Sequence, residues 1–198
     1  MEITASQVKD LRDRTGAGMM ECKRALQDAG GDVEKAIDLL RARGAAKVAK
    51  RAGREAREGA VGSYIHPGGK VGVLVEVNCE TDFVARNEQF QQLVKELAMH
   101  IAAMKPVAVT AEEIPAELVE RERAVALEKV KTDGKPEKMW DKIVDGMIRK
   151  YFQESTLLEQ DWVKDPERGK VKDVVQSVAA STGENIVVRR FMRYALGE

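Results

Sequence analysis

Apolar residues recur at helical spacing in three short blocks at the start of the chain. Ala5, Val8 and Leu11 form the first stripe, opened by Thr4 and Gln7 at the spacing of a capping box. Gly16 and Gly18 interrupt the chain before a second stripe of Met19, Cys22, Leu26 and Ala29. Gly30-Gly31 closes that block, and Asp32 is placed to cap a third helix carrying Val33, Ala36, Ile37 and Leu40. Gly44 reads as its C-terminal stop. Three helices of this length predict a small bundle over residues 1–44, with a thin core.

The pattern then loses its apolar stripe. Residues 45–59 carry Lys47, Lys50, Arg51, Arg54 and Arg57 among alanines, which predicts an exposed helical connector. A nucleic-acid-binding arm is the sharper alternative, although such a run is usually a solvated face. From residue 61 the period changes to two. Segments 61–66 and 70–78 flank Pro67-Gly68-Gly69, which is hairpin chemistry. Val71, Val73, Val75 and Val77 share one face, with Gly72 and Leu74 on the other. Helical spacing returns with Phe90, Leu93, Leu97, Ile101 and Met104, and stops at Pro106. Further helices are expected over 115–131, 136–152 and 171–181, so residues 82–181 form a helical part. A final strand over 186–196 carries Val187 with Phe191 on one face and Ile186 with Val188 on the other. The simplest assembly is an α+β fold: a three-helix bundle (1–44), a helical linker (45–59), and a core (60–198) with a three-stranded antiparallel sheet packed by helices.

Composition narrows the function. At 198 residues, 43% hydrophobic and 33% charged, the chain has the make-up of a soluble globular protein. Lys plus Arg and Asp plus Glu balance at 33 each, which argues against polyanion binding over the whole surface. No apolar run approaches the ~18 residues of a membrane span. Met1–Gln7 lack the basic and apolar regions of a secretory signal. Cys22 and Cys79 have no metal-ligand spacing. These features point to a cytoplasmic protein without disulfides or bound metal.

Enzyme signatures are absent: there is no phosphate-binding Gly-x-x-x-x-Gly-Lys loop, no His-Glu-x-x-His and no Gly-x-Ser-x-Gly. His66 and His100 have no sequence-near catalytic partner. What remains is binding through exposed apolar and charged groups. Phe83 has two readings. If the helix bearing Phe90 and Leu97 begins at Asp82 without a break, Phe83 is buried in phase with them and Thr81 or Asp82 is an ordinary cap. If the chain turns first, a large ring is presented to solvent. Met20 lies opposite Cys22 and Leu26 on the helical wheel, beside Lys23 and Gln27, and so faces outward.

Three motifs together carry a resemblance. They are Thr15-Gly16-Ala17-Gly18-Met19-Met20, Thr81-Asp82-Phe83-Val84 within residues 78–87, and Gly183-Glu184-Asn185-Ile186-Val187-Val188-Arg189-Arg190. Their order and spread over nearly the whole chain resemble elongation factor Ts, the family of guanine-nucleotide exchange factors of the translation factor Tu. The resemblance implies that Thr81, Asp82, Phe83 and Val84 form a wedge entering the GTPase domain of Tu. There the wedge disturbs the phosphate-binding and magnesium-binding region, so that GDP leaves and GTP takes its place. It implies that the amino-terminal bundle, like a ubiquitin-associated domain, grips Tu through Arg12, Met19, Met20 and Lys23. Thr182, Gly183 and His66 match further contact positions, although Thr182 replaces an aliphatic residue of some members and the loop after His66 varies. No cofactor, direct nucleotide binding, covalent chemistry, membrane or nucleic-acid partner is implied. A ribosome- or RNA-associated protein using residues 45–59 with Arg189, Arg190 and Arg193 is the rival reading. A single Val-Gly-Val-Leu-Val strand followed by a single Thr-Asp-Phe-Val resembles the short members that form homodimers. Met192 stands where some of these carry a bridging cysteine, so a non-covalent dimer is expected.

Overall fold

The computed structural model describes residues 3–198. Met1 and Glu2, part of the expected first domain, lie outside the described residues. The elements run α1 (Ala5–Thr15), α2 (Met19–Asp28), α3 (Val33–Ala49), β1 (Glu58–Ile65), β2 (Val71–Cys79), α4 (Asp82–Ala85), α5 (Glu88–Met104), α6 (Ala116–Thr132), α7 (Trp140–Ser155), α8 (Val171–Thr182) and β3 (Val187–Ala195). Short 3-10 turns precede α6, α7 and α8. The sheet has the order β1-β2-β3 and is antiparallel, which makes the fold α+β. By chain contacts the molecule divides into two compact units. The first comprises Met1–Gly62, Val75–Glu96 and Asp173–Arg189; the second comprises Ser63–Leu74, Leu97–Lys172 and Arg190–Glu198.

In the first unit, the opening helices form as the polar punctuation predicts. Thr4 and Gln7 complete a reciprocal capping box, with Gln7 N–H donating to Thr4 Oγ1 at 3.3 Å and Thr4 N–H to Gln7 Oε1 at 3.0 Å. Asp32 caps α3 by accepting from Lys35 N–H at 3.1 Å. The bundle core is Val8, Leu11, Cys22, Ala25, Leu26 and Ala36, with Ile37 and Leu40 packed against it. Two expected members are not there: Ala5 and Met19 are exposed. Both sit in the first turn of their helices, where the preceding Ile3 and Ala17 pack against the core instead, while Ala25 fills the inner position between Cys22 and Leu26.

Gly44 does not stop α3, which continues to Ala49. Ala45, Ala46, Lys47 and Ala49 are strong helix formers and outweigh one glycine, which costs about 1 kcal/mol. The helix ends there, so the expected helical linker is helical only in its first third, and β1 begins at Glu58 rather than residue 61. Three of the five basic side chains of this stretch are paired with acids: Lys47 with Glu21, Arg54 with Glu80 and Arg57 with Glu55. Val75, Val77 and Cys79 of β2 are buried, as are Phe90, Leu93 and Val94 of α5. Gly62 in β1 permits the close approach of α5, because a Cβ there would lie 2.4 Å from Val94 Cγ1.

The second unit contains the hairpin end of the sheet and the helical pair α6 and α7. His66 N–H donates to Val71 O at 2.9 Å across the turn at Pro67–Gly69. Helices α6 and α7 pack on each other through Ala126, Val130, Val144 and Ile148, with Trp140, Met147 and Phe152 around them. Buried elsewhere in this unit are Leu97, Ile101, Leu157 and Trp162, whereas Met104, expected in the same stripe, is exposed at the last turn of α5. On β3 the inward alternation slips by one between Val188, which is buried, and Phe191, which is half-buried. Val187 is exposed and Phe191 half-buried, so the apolar positions of β3 are not evenly covered. Among the described residues no helix is long and apolar enough to cross a membrane.

Candidate partner-binding site

Phe83 resolves to the exposed reading. Helix α4 is a separate single turn: it closes with Arg86 N–H on Asp82 O at 3.2 Å and Asn87 N–H on Val84 O at 2.9 Å. Asn87 Oδ1 then accepts from Gln89 N–H at 2.8 Å to open α5. This break takes Phe83 out of phase with buried Phe90 and leaves it 80% exposed, the most exposed large apolar side chain among the described residues. The next two residues, Val84 and Ala85, are buried and fix the turn from below.

The polar framework beneath the ring is dense. Thr81 is the N-cap, its hydroxyl accepting from Val84 N–H at 3.4 Å. Glu184, entering from the turn after α8, accepts from Glu80 N–H at 3.0 Å, Thr81 N–H at 3.0 Å and the Thr81 hydroxyl at 2.6 Å. In return the Glu80 carboxylate accepts from Asn185 N–H at 2.7 Å and Arg54 Nη1 at 3.3 Å. The Asn185 N–H bond, opposed by partial burial and aided by Arg54, holds the Glu80 carboxyl below its ordinary range. Cys79 donates its thiol hydrogen to Thr81 O at 3.2 Å. Burial, reinforced by the charge of Glu184, pushes that thiol up to about 11, so it stays protonated and unreactive at neutral pH. Asp82 is exposed and paired with Arg86 at 2.8 Å.

Gly183 has φ +79°, a left-handed conformation that turns the chain out of α8 and brings Glu184 back towards Thr81. Its N–H donates to Ala179 O at 3.0 Å. Thr182 spends its hydroxyl on Val178 O at 2.9 Å, and both residues are half-buried. On the amino-terminal bundle Met19 is 47% exposed and Met20 is 61% exposed. Arg12 and Lys23 are exposed too, and neither makes an ion pair among the described residues. In the second unit, His66 is exposed with Nδ1 3.0 Å from the Tyr64 hydroxyl, on a concavity of about 400 Å³ lined also by Lys70, Lys105 and Arg193.

Sequence reasoning missed Glu184, Glu80 and Arg86. Glu184 stood inside a quoted motif, yet nothing local says that its carboxylate serves a turn 103 residues earlier. Arg86 could have been found from its i,i+4 spacing to Asp82. Among the described residues no group of three or more His, Cys, Asp and Glu is placed to hold a metal ion. The arrangement offers an exposed aromatic side chain on a firmly seated turn and an exposed methionine pair, which suit it to grip another macromolecule.

Comparison with known proteins gives a consistent result. Residues 4–198 match the family described as Elongation factor TS. The chain is 58% identical over 198 residues to elongation factor Ts of Citrifermentans bemidjiense, covering 100% of this chain and 91% of that protein. It is 54% identical over 197 residues to elongation factor Ts of Syntrophobacter fumaroxidans, covering 100% and 98%. It is 53% identical over 196 residues to elongation factor Ts of a Thermoanaerobacter species, covering 99% and 96%.

Proposed function

The chain belongs to the elongation factor Ts family, and from that premise we propose that it binds elongation factor Tu carrying GDP and promotes exchange of GDP for GTP. Membership makes it a translation elongation factor. The observation that carries the finer reading is the exposed Phe83 ring on a turn whose neighbours Val84 and Ala85 are buried. A turn seated in this way needs little backbone ordering when its side chain enters a pocket, and aromatic anchors dominate many interfaces.

In this reading Thr81, Asp82, Phe83 and Val84 act as one wedge. Phe83 enters the GTPase domain, Asp82 meets hydrogen-bond donors at the pocket rim, and Thr81 with Val84 seats the turn. The wedge displaces elements beside the nucleotide and loosens the magnesium and phosphate contacts that hold GDP. Arg12, Met19, Met20 and Lys23 of the bundle supply a second grip, and Thr182, Gly183 and His66 supply auxiliary contacts. The protein contributes binding free energy only: it binds no nucleotide and breaks no bond. Nucleotide and factor are then negatively coupled ligands of Tu, so each weakens the other by the same factor. We place this exchange in the cytoplasm, and we assign the protein a non-covalent homodimer.

The test is release of fluorescent GDP from purified elongation factor Tu. Catalytic amounts of the protein should accelerate release many-fold in the presence of excess GTP. An unchanged release rate at saturating protein overturns the proposal. An RNA-binding role has less support, because Lys47, Arg54 and Arg57 of the basic segment are occupied by acidic partners.

A further inference from the structure

We propose that Glu184 is a positioning residue for exchange: it holds the Thr81 turn so that α4 presents Phe83 already ordered. The inference rests on the proposed wedge and deepens it. Helix α4 has four residues, far too few to persist alone, since nucleating a helical turn is unfavourable. Phe83 is 80% exposed, so its own packing does not set its direction; the α4 backbone must. That backbone is secured below by Val84 and Ala85 and at its start by Thr81.

The start depends on Glu184 through the chemistry of one hydroxyl. Thr81 has a single hydroxyl hydrogen, and it donates to Glu184 Oε1 at 2.6 Å. With its hydrogen committed, the oxygen turns its lone pairs towards Val84 N–H at 3.4 Å, the bond that caps α4. The other carboxylate oxygen, Oε2, accepts the main-chain N–H groups of Glu80 and Thr81, both at 3.0 Å. One side chain thus fixes the orientation of two peptide planes and the polarity of the cap. These are charge-assisted bonds, which are stronger than neutral ones.

The clamp is crossed. The Glu80 side chain holds the main chain at Asn185 while the Glu184 side chain holds the main chain at Glu80 and Thr81. Asn185 Nδ2 also donates to Arg54 O at 2.8 Å, tying the end of the basic segment into the same network. Two carboxylates at one turn repel unless each is met by donors, and here each is. Both residues are half-buried. The arrangement preorganises the wedge, which reduces the ordering that binding must otherwise supply.

The experiment measures GDP release from elongation factor Tu·GDP across protein concentrations, using the full chain with Glu184→Ala, Glu184→Gln, Phe83→Ala and the double variant Phe83→Ala/Glu184→Ala. Thermal melts accompany each. Glu184→Ala should lower the maximal release rate about tenfold, as expected when a functional group is misplaced by a fraction of an ångström to an ångström. Glu184→Gln, which keeps the shape and one acceptor oxygen, should recover part of that loss. In the Phe83→Ala background, removing Glu184 should cost nothing further. A Glu184 effect that multiplies onto Phe83→Ala overturns the proposal. So does an unchanged maximal rate in a folded Glu184→Ala protein, or a change only in the half-saturating concentration. If Glu184→Ala fails to fold, Glu184→Gln alone decides by the same criteria. A fully active Phe83→Ala instead removes the wedge itself, which separates the two failures.

Discussion

Phe83 and Val84 are consecutive residues with opposite fates: the ring is 80% exposed and the valine is 5% exposed. Mutating them should therefore separate binding from folding. Phe83→Ala should leave the melting temperature within a degree or two and reduce exchange severely, with a truncation cost of ~2–4 kcal/mol for an interface hot spot. Val84→Ala removes buried methyl groups and should destabilise the fold by about 1–2 kcal/mol, with exchange affected in proportion to lost order. Circular dichroism melts and GDP-release assays on both variants give the contrast. Loss of fold in Phe83→Ala with retained fold in Val84→Ala contradicts it.

Met20 and Lys23 lie one helical turn apart on the outer face of α2, and Met20 is 61% exposed while the Cys22 and Leu26 side of the same helix is fully buried. Met20→Ala and Lys23→Ala should each weaken binding to elongation factor Tu by about 1 kcal/mol and leave the thermal midpoint unchanged. Calorimetric titration of nucleotide-free Tu reads the difference. An unaltered affinity in the double variant takes the amino-terminal bundle out of the interface.

Much of this was legible in the sequence, for identifiable reasons. The capping box at Thr4 and Gln7, the Asp32 cap and the β2 valine face all depend on residues a few positions apart, so local pattern suffices. Gly44 misled because a glycine that usually marks a helix end was overruled by the alanines around it. Phe83 stayed ambiguous because periodicity does not locate a break at Arg86–Asn87, which depends on the Asn87 side chain accepting from Gln89. The Glu184 clamp was invisible because its partners are more than a hundred residues away in sequence. The uneven burial of β3 is also tertiary, since both faces of that strand carry apolar residues.

His100 gives a pH signature. It is fully buried and stacked on Trp162 with ring centroids 5.3 Å apart. Val163 N–H donates to its Nδ1 at 3.3 Å, so the neutral ring carries its proton on Nε2, 3.0 Å from Gln160 Oε1. Burial pushes its pKa below the ordinary value, and the Gln160 bond opposes this only in part. The unfolded chain takes up the proton at about pH 6.5 while the folded chain resists it, so stability is complete above that pH and falls as the pH drops. The slope from this group cannot exceed about 1.4 kcal/mol per pH unit. Glu159 and Glu198, whose carboxyls are held low by lysine and arginine partners, contribute losses only at more acid pH. Melts between pH 7.5 and 5 should show a decline that His100→Gln flattens. Equal slopes in the two proteins refute the assignment.

The last expectation concerns the outward face of the sheet. In the second unit Ile65, Leu74, Met192 and Tyr194 are all more than half exposed, and each occupies the solvent-facing phase of its strand. A Cβ on Gly72 would lie 3.0 Å from Ile65 Cδ1, so those two positions adjoin on that face. Apolar surface gathered on one sheet face usually marks an interface. A second copy is the occupant best matched to it, because a twofold axis sets the same side chains against themselves and packs sheet on sheet. Such a contact should be non-covalent, since both cysteines are buried and Met192 is the residue presented on β3. Sedimentation at micromolar protein should give a dimer whether or not reductant is present. Leu74→Lys with Tyr194→Lys should give a monomer, as buried unpaired charges oppose association. A wild-type monomer under both conditions sinks the dimer and leaves the proposed exchange standing, because that reading needs only one wedge and one bundle for one Tu.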